Sequence, residues 1–388
     1  MTLLVLYFHS DNLGDPAIGE CTAALIRQAY PQARVLLQDM LDRPPLAGEA
    51  DLAQWRRECR RNRLRTAAAR LGWDKLYTHA QWCLAHNAPG LERVESIPCD
   101  GVIFAGGQFF MDGLAPYVSA LTAAFARRGI PVFFNACGVG SSVSGAIRRD
   151  LAAALTLPEV RLVSCRDDAD RVSAWCGRPG YVRAVSDPAL MAGQLYHIAR
   201  DPNAVCLGLG IQFPSSLPEG QVRRFWHRLI ARLQQDGVPF RLFTNGSRDD
   251  EAYARELLAS AHLSTGPELL APKCATAREF VQMLAGFSAL ISFRLHSHIL
   301  ACSLDIPTVA IVWDRKVPLF FRQIGHPERC LSPKARPDRV LSALDQARRT
   351  GYDRPALEKR SRESAALLLG ALEQALPELS REKGGDGL

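Results

Sequence analysis

The chain has 388 residues, and at about 150 residues per domain this length predicts two or three domains. Hydrophobic residues make up 47% and charged residues 22%, values typical of globular proteins that exclude disorder over the whole length. The 47 basic and 40 acidic residues give a formal net charge of +7, too small a surplus over this length to indicate a nucleic-acid-binding protein.

The first apolar run, residues 2–9, is predicted to be a β-strand. It has no basic lead and no small-residue cleavage site, so it does not resemble a leader peptide. Similar short runs, rich in Val, Ile, Leu and Phe, recur along the chain and are typical of strands buried on both faces of a parallel sheet. The predicted strands are 2–9, 33–38, 101–105, 130–136, 161–165, 181–185, 204–211, 239–244, 289–293 and 307–312.

Amphipathic stretches between these runs are predicted to be helices, which indicates an α/β protein with helices on both faces of parallel sheets. The series restarts after the polar segment 196–203. We therefore expect two Rossmann-like domains facing a cleft, 1–198 on the acceptor side and 199–345 on the donor side. A helical tail, 346–388, is expected to pack back on the first domain. The predicted helices are 16–29, 116–128, 145–155, 221–236, 249–261, 277–285, 296–303 and 354–376.

The stretch 40–98 interrupts this alternation. It carries a run of arginines between residues 56 and 70 with few acids, together with Trp55, Trp73 and Trp82. One interpretation is a basic helical insertion with a solvated surface, because charge runs usually face water. The other is a basic amphipathic flap that contacts anionic lipid headgroups or an anionic acceptor, which would place the protein at the periphery of a membrane.

The cysteines point to a reducing compartment. All eleven are scattered, and none forms a CxxC pair or a Cys/His cluster with zinc-like spacing, so we expect no metal site. Reduced thiols and the lack of any apolar stretch long enough to span a membrane predict a cytoplasmic protein.

Polar segments follow several of the predicted strands, where ligands of such folds bind. After the first strand, Asp15 suits a helix N-cap, Pro16 suits the first helical position, and Gly14 allows a tight turn or the approach of a ligand. A capped strand–turn–helix would explain this segment. The alternative places Asn12 and Asp15 at the cleft floor, where they meet sugar hydroxyls.

Two further segments follow strands of the first half. Gly106 and Gly107 follow strand 101–105 and can expose backbone N–H groups, although paired glycines are common in such turns. Arg166 follows strand 161–165, with two aspartates after it in a predicted first helical turn. This arginine either forms a surface ion pair with them or points into the cleft toward an anion.

The segment after strand 289–293 is the most informative. Arg294, His296 and the Ser297 hydroxyl are crowded at a predicted helix N-terminus, whose free N–H groups already favour anions. Arginine binds carboxylate or phosphate through two parallel hydrogen bonds, and histidine transfers protons near neutral pH. His298 is expected to face the other way and to serve packing.

The last polar segment that follows a predicted strand ends at Lys316, after strand 307–312. It either reaches the rim of the same cleft or belongs to an exposed basic loop.

Together and in this order, these segments resemble the polysaccharide pyruvyl transferase family. The matching motifs are NLGDPAI, FAGGQFF, SCRDD, SDPAL and FRLHSHILACSLDIPTVAIVWDRK, and the last is the most specific. The resemblance covers most of the chain and implies a glycosyltransferase fold of the two-Rossmann GT-B type. It also implies transfer of pyruvate from phosphoenolpyruvate to two sugar hydroxyls, which forms a cyclic ketal and releases phosphate. Gln212 departs from the family pattern, because an arginine often ends the corresponding strand.

The resemblance also implies roles for individual residues. Arg166, Arg294 and His296 would hold or activate phosphoenolpyruvate, whose carboxylate and phosphate need at least two cationic anchors. His296 is the expected acid and Asp15 the expected base for a sugar hydroxyl, with no cofactor besides the donor substrate. The expected catalytic residues are His296, Arg294 and Asp15, and the expected substrate-binding residues are Arg166, Asn12, Gly106, Gly107, Ser297 and Lys316.

The expected partners are phosphoenolpyruvate and a glycan or lipid-linked saccharide of exopolysaccharide or capsule biosynthesis, with no nucleic acid. Two other functions stay open, because a fold alone does not define an activity. One is a glycosyltransferase that uses a nucleotide sugar on the same scaffold. The other is a glycan-binding or assembly protein without catalytic activity.

Overall fold

The computed structural model describes residues 1–9, 12–43, 75–141, 143–213 and 217–382. The arginine run at 56–70, with Trp55 and Trp73, lies outside the described residues, as does most of the predicted insertion. The remainder of the insertion includes a helix, Lys75–Glu95.

Six parallel strands form the first sheet. They are β1 (Thr2–Tyr7), β2 (Arg34–Asp39), β3 (Gly101–Ala105), β4 (Val132–Cys137), β5 (Val160–Cys165) and β6 (Arg183–Ala184). They pair in the order β2-β1-β3-β4-β5-β6, and β3 and β4 are buried along their whole length. The last strand is shorter at both ends than the predicted 181–185, and beyond it the Ser186 N–H bonds to Ser364 Oγ.

Five parallel strands form the second sheet in the order β11-β10-β9-β7-β8. They are β7 (Leu207–Gly210), β8 (Phe240–Phe243), β9 (Ala289–Ser292), β10 (Thr308–Ile311) and β11 (Cys330–Leu331). Most of their residues carry aliphatic or aromatic side chains with little or no exposure, as expected for strands covered on both faces.

Helices connect the strands and cover both sheets, which confirms the predicted α/β fold class. They are α1 (Gly14–Ala29), α2 (Lys75–Glu95), α3 (Ala115–Arg127), α4 (Gly145–Leu155), α5 (Ala169–Trp175), α6 (Ala192–Tyr196), α7 (Glu219–Gln235), α8 (Arg248–Ser260), α9 (Ala277–Ala285), α10 (Leu295–Ser303), α11 (Lys316–Gln323), α12 (Pro337–Thr350) and α13 (Arg354–Ala375). Helix α12 runs through the expected boundary at 345 and ends before Gly351, which has a φ of 57°. Among the described residues, no helix combines the length and hydrophobicity that crossing a membrane requires.

The two sheets share packing elements. Helix α1 follows the first strand, yet Ala17 and Ile18 belong to the same hydrophobic cluster as Phe280 and Ile299 of the second half. Helix α13 returns to the first sheet and buries a leucine-rich face there, and the Tyr30 hydroxyl donates to a Glu373 carboxylate oxygen at 2.8 Å. Burial of these apolar faces holds the strand ends of both sheets next to each other.

Candidate active site

A cavity of about 330 Å³ lies where the carboxyl ends of the two sheets meet. This is the edge at which open parallel sheets bind ligands. Most of the predicted site residues line it, and they come from segments that follow β1, β3, β5, β9 and β10. The predicted residues in its wall are Asn12, Asp15, Gly107, Arg166, Arg294, His296 and Lys316.

Arg166 and His296 meet at the wall of this cavity. Arg166 follows β5, is only 5% exposed, and places Nη1 3.0 Å from His296 Nε2. The same nitrogen lies 2.5 Å from an Asp187 carboxylate oxygen. These contacts exclude the surface ion pair as the role of Arg166. The aspartates after it, Asp167 and Asp168, precede α5 and do not lie in its first turn.

The Arg166 contact defines the protonation state of His296. A guanidinium group has donors only, so His296 Nε2 accepts the hydrogen bond and the ring proton resides on Nδ1. Burial and the nearby charges of Arg166, Lys316 and Arg294 hold the pKa of His296 well below its ordinary value. The imidazole of the unliganded site is therefore neutral.

Asp187 orients this pair, although it was not among the predicted site residues. Its other carboxylate oxygen accepts the Ala189 N–H at 2.9 Å, at the start of the short 3₁₀ turn Pro188–Met191. The Ser-Asp-Pro sequence is a local signal for such a turn. No local pattern shows that this aspartate pairs with an arginine 21 residues earlier in the chain.

Gly14 and Asp15 begin helix α1. A Cβ on Gly14 would overlap the His296 ring, so glycine is needed for the close approach of helix and imidazole. The prediction that Asp15 is the N-cap was wrong, because Leu13 occupies that position and the helix begins at Gly14. The Leu13 N–H bonds to the Asn245 carbonyl at 2.7 Å, which starts the helix earlier and leaves Asp15 in the wall of the cavity.

Arg294 is the N-cap residue of α10, and Asp250 of α8 holds its side chain. Its Nε donates to Asp250 Oδ2 at 2.7 Å, and Nη2 bonds to the same oxygen. Asp250 is 1% exposed, and its other oxygen accepts the Phe213 N–H at 2.8 Å. Asp250 was not among the predicted site residues, because its partner lies 44 residues away in the chain.

Ser297 and His298 support the turn from β9 into α10. Ser297 was expected to bind substrate, but it is not part of the cavity wall: its fully buried hydroxyl lies 2.6 Å from the Arg294 carbonyl and 2.7 Å from Ser292 Oγ. His298 lies outside the cavity, with Nε2 3.1 Å from the Ser292 carbonyl. Burial lowers the pKa of His298 to about 4, so its neutral ring donates this bond. Its position agrees with the expected packing role.

Lys316 begins helix α11 and lines the cavity, so the alternative of an exposed basic loop was wrong. Its Nζ lies 3.1 Å from Gln108 Oε1 and 4.9 Å from the centre of the Trp313 ring. Burial lowers the pKa of Lys316, and the positive charges of Arg166 and Arg294 act in the same direction, while Asp314 opposes them.

Gly106 and Gly107 shape the turn after β3. Both have left-handed backbone angles, with φ of 63° and 72°. Gly107 lines the cavity, and its carbonyl accepts the Gly138 N–H at 2.6 Å. Gly106 was expected to bind substrate, but it is not part of the cavity wall: its N–H donates to the Asn135 carbonyl at 2.8 Å, and a Cβ there would overlap Ile18.

The cavity contains three cationic groups close to the neutral His296 ring. Arg166 and Arg294 each already pair with a buried carboxylate, whereas the Lys316 ammonium bonds to the neutral amide of Gln108. A small ligand with more than one negative group matches this arrangement. Within the described ranges, no group of three or more His, Cys, Asp or Glu side chains is placed to hold a metal ion.

Comparison with known proteins identifies a family. A family model of polysaccharide pyruvyl transferases matches residues 12–315, well over half of the chain. Comparison with curated protein sequences gave no match.

Solved structures with a similar fold include sugar-nucleotide epimerases. Staphylococcus aureus MnaA, solved with UDP, is 11% identical, with a TM-score of 0.53 and coverage of 100% of both chains. UDP-GlcNAc 2-epimerase from Neisseria meningitidis, solved with UDP-GlcNAc, is 12% identical, with a TM-score of 0.54 and coverage of 96% of this chain and 100% of that one. At these identities the likeness concerns the fold alone, and it confirms the predicted GT-B-type architecture.

Proposed function

Since the chain belongs to the polysaccharide pyruvyl transferase family, we propose that it transfers pyruvate from phosphoenolpyruvate to a glycan. Two hydroxyls of one sugar, in a polysaccharide or a lipid-linked precursor at the cytoplasmic face, receive the pyruvate as a cyclic ketal. One observation carries this proposal: Arg166, Arg294 and Lys316 surround one cavity beside the neutral imidazole of His296.

These cations match the charges of the donor. Phosphoenolpyruvate carries a phosphate and a carboxylate on a three-carbon frame, and guanidinium groups bind both types of anion through parallel hydrogen bonds. Asp187 and Asp250 hold Arg166 and Arg294 in place before a ligand arrives. This reduces the conformational entropy that binding would cost.

The reaction needs one proton at the donor and a base at the acceptor. C3 of the enol takes up a proton, positive charge develops at C2, and a sugar hydroxyl adds to C2 and releases its proton. The C2–O bond to phosphate then breaks with its electron pair, and the second hydroxyl adds to C2 with loss of its proton. The products are the ketal and inorganic phosphate.

We assign the proton at C3 to His296. Its pKa is low in the unliganded site, so the ring is not charged before the donor binds. The negative charge of phosphoenolpyruvate beside the ring favours the imidazolium form, in which Nε2 takes a proton and gives up its hydrogen bond from Arg166, so donor binding supplies the acid when it is needed. Asp15 lines the same cavity and is proposed as the base that accepts the proton of a sugar hydroxyl.

The test is incubation with phosphoenolpyruvate and a panel of methyl glycosides, scored for phosphate release and for the mass gain of a pyruvyl ketal. Parallel reactions contain UDP-GlcNAc or UDP-glucose in place of phosphoenolpyruvate. Ketal formation supports the proposal. Glycosyl transfer from the nucleotide sugars, with no reaction of phosphoenolpyruvate, would replace it with the glycosyltransferase function.

A matched pair of variants tests whether this cavity is where the reaction takes place. Arg294→Met removes a cation of the cavity, and we expect kcat/KM for phosphoenolpyruvate to fall about 10- to 100-fold, as for loss of a charge-assisted hydrogen bond. Arg255→Met removes an exposed arginine of α8 that pairs with Glu251, and it should leave activity unchanged. Equal effects of the two changes would count against the proposed site.

A further inference from the structure

Three adjacent strands of the second sheet end in side chains that line the same cavity. The register pairs Gly210 of β7 with Phe243 of β8 on one side and with Ser292 of β9 on the other. Two residues beyond these pairs, the same register places Gln212 between Asn245, which follows β8, and Arg294, which follows β9. Neighbouring strands lie about 4.8 Å apart, and residues two apart in a strand share a face. Across the ends of β8, β7 and β9, two neutral amide side chains are therefore followed by one cationic side chain.

Both amides are buried with an unsatisfied oxygen. Gln212 is 5% exposed and Asn245 is 1% exposed, and both line the cavity. Within the described part of the chain, neither Gln212 Oε1 nor Asn245 Oδ1 has a hydrogen-bond partner. A buried oxygen without a partner costs free energy, and such atoms are rare unless a ligand or water satisfies them.

The surroundings define the chemistry of the missing partner. Asn12 lies beside the amides, with its Oδ1 3.4 Å from Asn245 Nδ2, and the Asp249 carboxylate lines the same cavity. The fully buried side-chain atoms of these two amides that await a partner are oxygen acceptors. They fit a ligand that donates hydrogen bonds, and the nearby carboxylate disfavours an anion. Hydroxyl groups on a neutral ring have this character.

We propose that Gln212 and Asn245 form the acceptor subsite, in which their side-chain oxygens accept hydrogen bonds from hydroxyls of a neutral sugar. This inference rests on the proposed function and extends it by naming the groups that select and orient the acceptor. The subsite lies on the second sheet, whereas the sequence-based expectation assigned the acceptor to the first domain. Its place next to Arg294 holds the sugar beside the bound donor.

The test uses apolar variants of similar size, Gln212→Met and Asn245→Leu, in the full chain. Binding of methyl glycosides of galactose, glucose, mannose and their N-acetylamino forms is followed by saturation-transfer NMR, and binding of phosphoenolpyruvate by calorimetry. The control is Gln38→Met, which replaces a half-buried amide of β2 that bonds to Asp42 and is not part of the cavity wall.

The proposal predicts that at least one glycoside binds the unaltered protein and binds each variant about tenfold more weakly, the effect of one lost hydrogen bond. Affinity for phosphoenolpyruvate should stay within about twofold. Gln212→Met should unfold at the same or a higher temperature, because it removes an unsatisfied polar atom. Loss of stability would show that the oxygen has a structural partner and would overturn the proposal.

Two further results would also overturn it: equal sugar binding by the variants and the unaltered protein, or no sugar binding by the unaltered protein. Both are distinct from failure of the proposed function, which is judged by phosphoenolpyruvate binding and phosphate release in the unaltered protein. Weaker phosphoenolpyruvate binding in Gln212→Met, with unchanged sugar binding, would place this amide in the donor site.

Discussion

Nη1 of Arg166 lies 3.0 Å from Nε2 of His296, and this hydrogen bond connects a strand end of the first sheet with a strand end of the second. The same Arg166 nitrogen contacts Asp187, so a carboxylate, a guanidinium and an imidazole form one buried chain of contacts. The arrangement keeps the imidazole neutral and fixes which ring nitrogen carries the proton. Tests of the site therefore begin with these residues.

The Arg166–Asp187 pair can be tested through stability. We expect Arg166→Met to lower the free energy of unfolding by about 3–5 kcal/mol, because it leaves a buried carboxylate without its partner. Adding Asp187→Asn removes that charge and should restore much of the lost free energy of unfolding, although we expect the double variant to stay inactive. Urea unfolding of the two single variants and the double variant measures the coupling, and additive losses would contradict a direct pair. Arg161→Met, at an exposed position of the same strand, is the control.

The close approach of Gly14 to the His296 ring can be tested with a larger residue at position 14. Gly14→Ala inserts a methyl group where the His296 ring lies, so the ring or the start of α1 must shift. We expect kcat to fall about 100-fold, as for a misplacement of about 1 Å in a catalytic group, while the fold is retained. Steady-state kinetics with phosphoenolpyruvate measure the effect. Gly220→Ala in α7, where a Cβ would lie 3.4 Å from the tip of the Arg224 side chain, should leave activity unchanged.

Lys316 can be tested through the pH dependence of donor binding. Burial lowers its pKa, so the ammonium loses its proton at a lower pH than an ordinary lysine. KM for phosphoenolpyruvate should therefore rise on the alkaline side, as the positive charge is lost. Lys316→Met should raise KM about 10- to 100-fold near neutral pH and abolish this alkaline rise.

The control for this prediction is Lys334→Met, which changes an exposed lysine away from the cavity. An alkaline rise in KM that persists in Lys316→Met would assign the titration to another group.

His298 can be tested through the pH dependence of stability. Its pKa is about 4 in the folded protein, against about 6.5 in an unfolded chain. Between these values the unfolded chain binds a proton that the folded protein excludes, so stability falls as the pH falls. The slope from this residue is at most about 1.4 kcal/mol per pH unit. His296 contributes in the same direction, since its pKa is also lowered.

We expect His298→Gln to reduce this slope, measured as the free energy of unfolding in urea between about pH 6.5 and about pH 4. His86→Gln, a change at an exposed histidine, is the control. An unchanged slope in His298→Gln would show that the ring is protonated in the folded protein.

Much of the architecture could be predicted from local patterns. Buried parallel strands carry near-continuous apolar runs, so the ten predicted strands could be read directly, and the two-residue strand Cys330–Leu331 was too short to give a signal. The Arg-x-His segment after Ala289–Ser292 also indicated a site, because polar residues at the carboxyl end of a parallel strand face the ligand edge.

The partners of those residues could not be predicted, because they depend on strand order and register. Arg166 and His296 are 130 residues apart, and only the packing of both sheets around helix α1 brings them into contact. The same applies to the amide pair of Gln212 and Asn245, which the β7–β8 register places side by side. Local patterns of residues specify which elements form and which polar residues stand at their ends. Which of those residues meet depends on the packing of the whole chain, since hydrophobic burial selects the sheet order from contacts between distant segments.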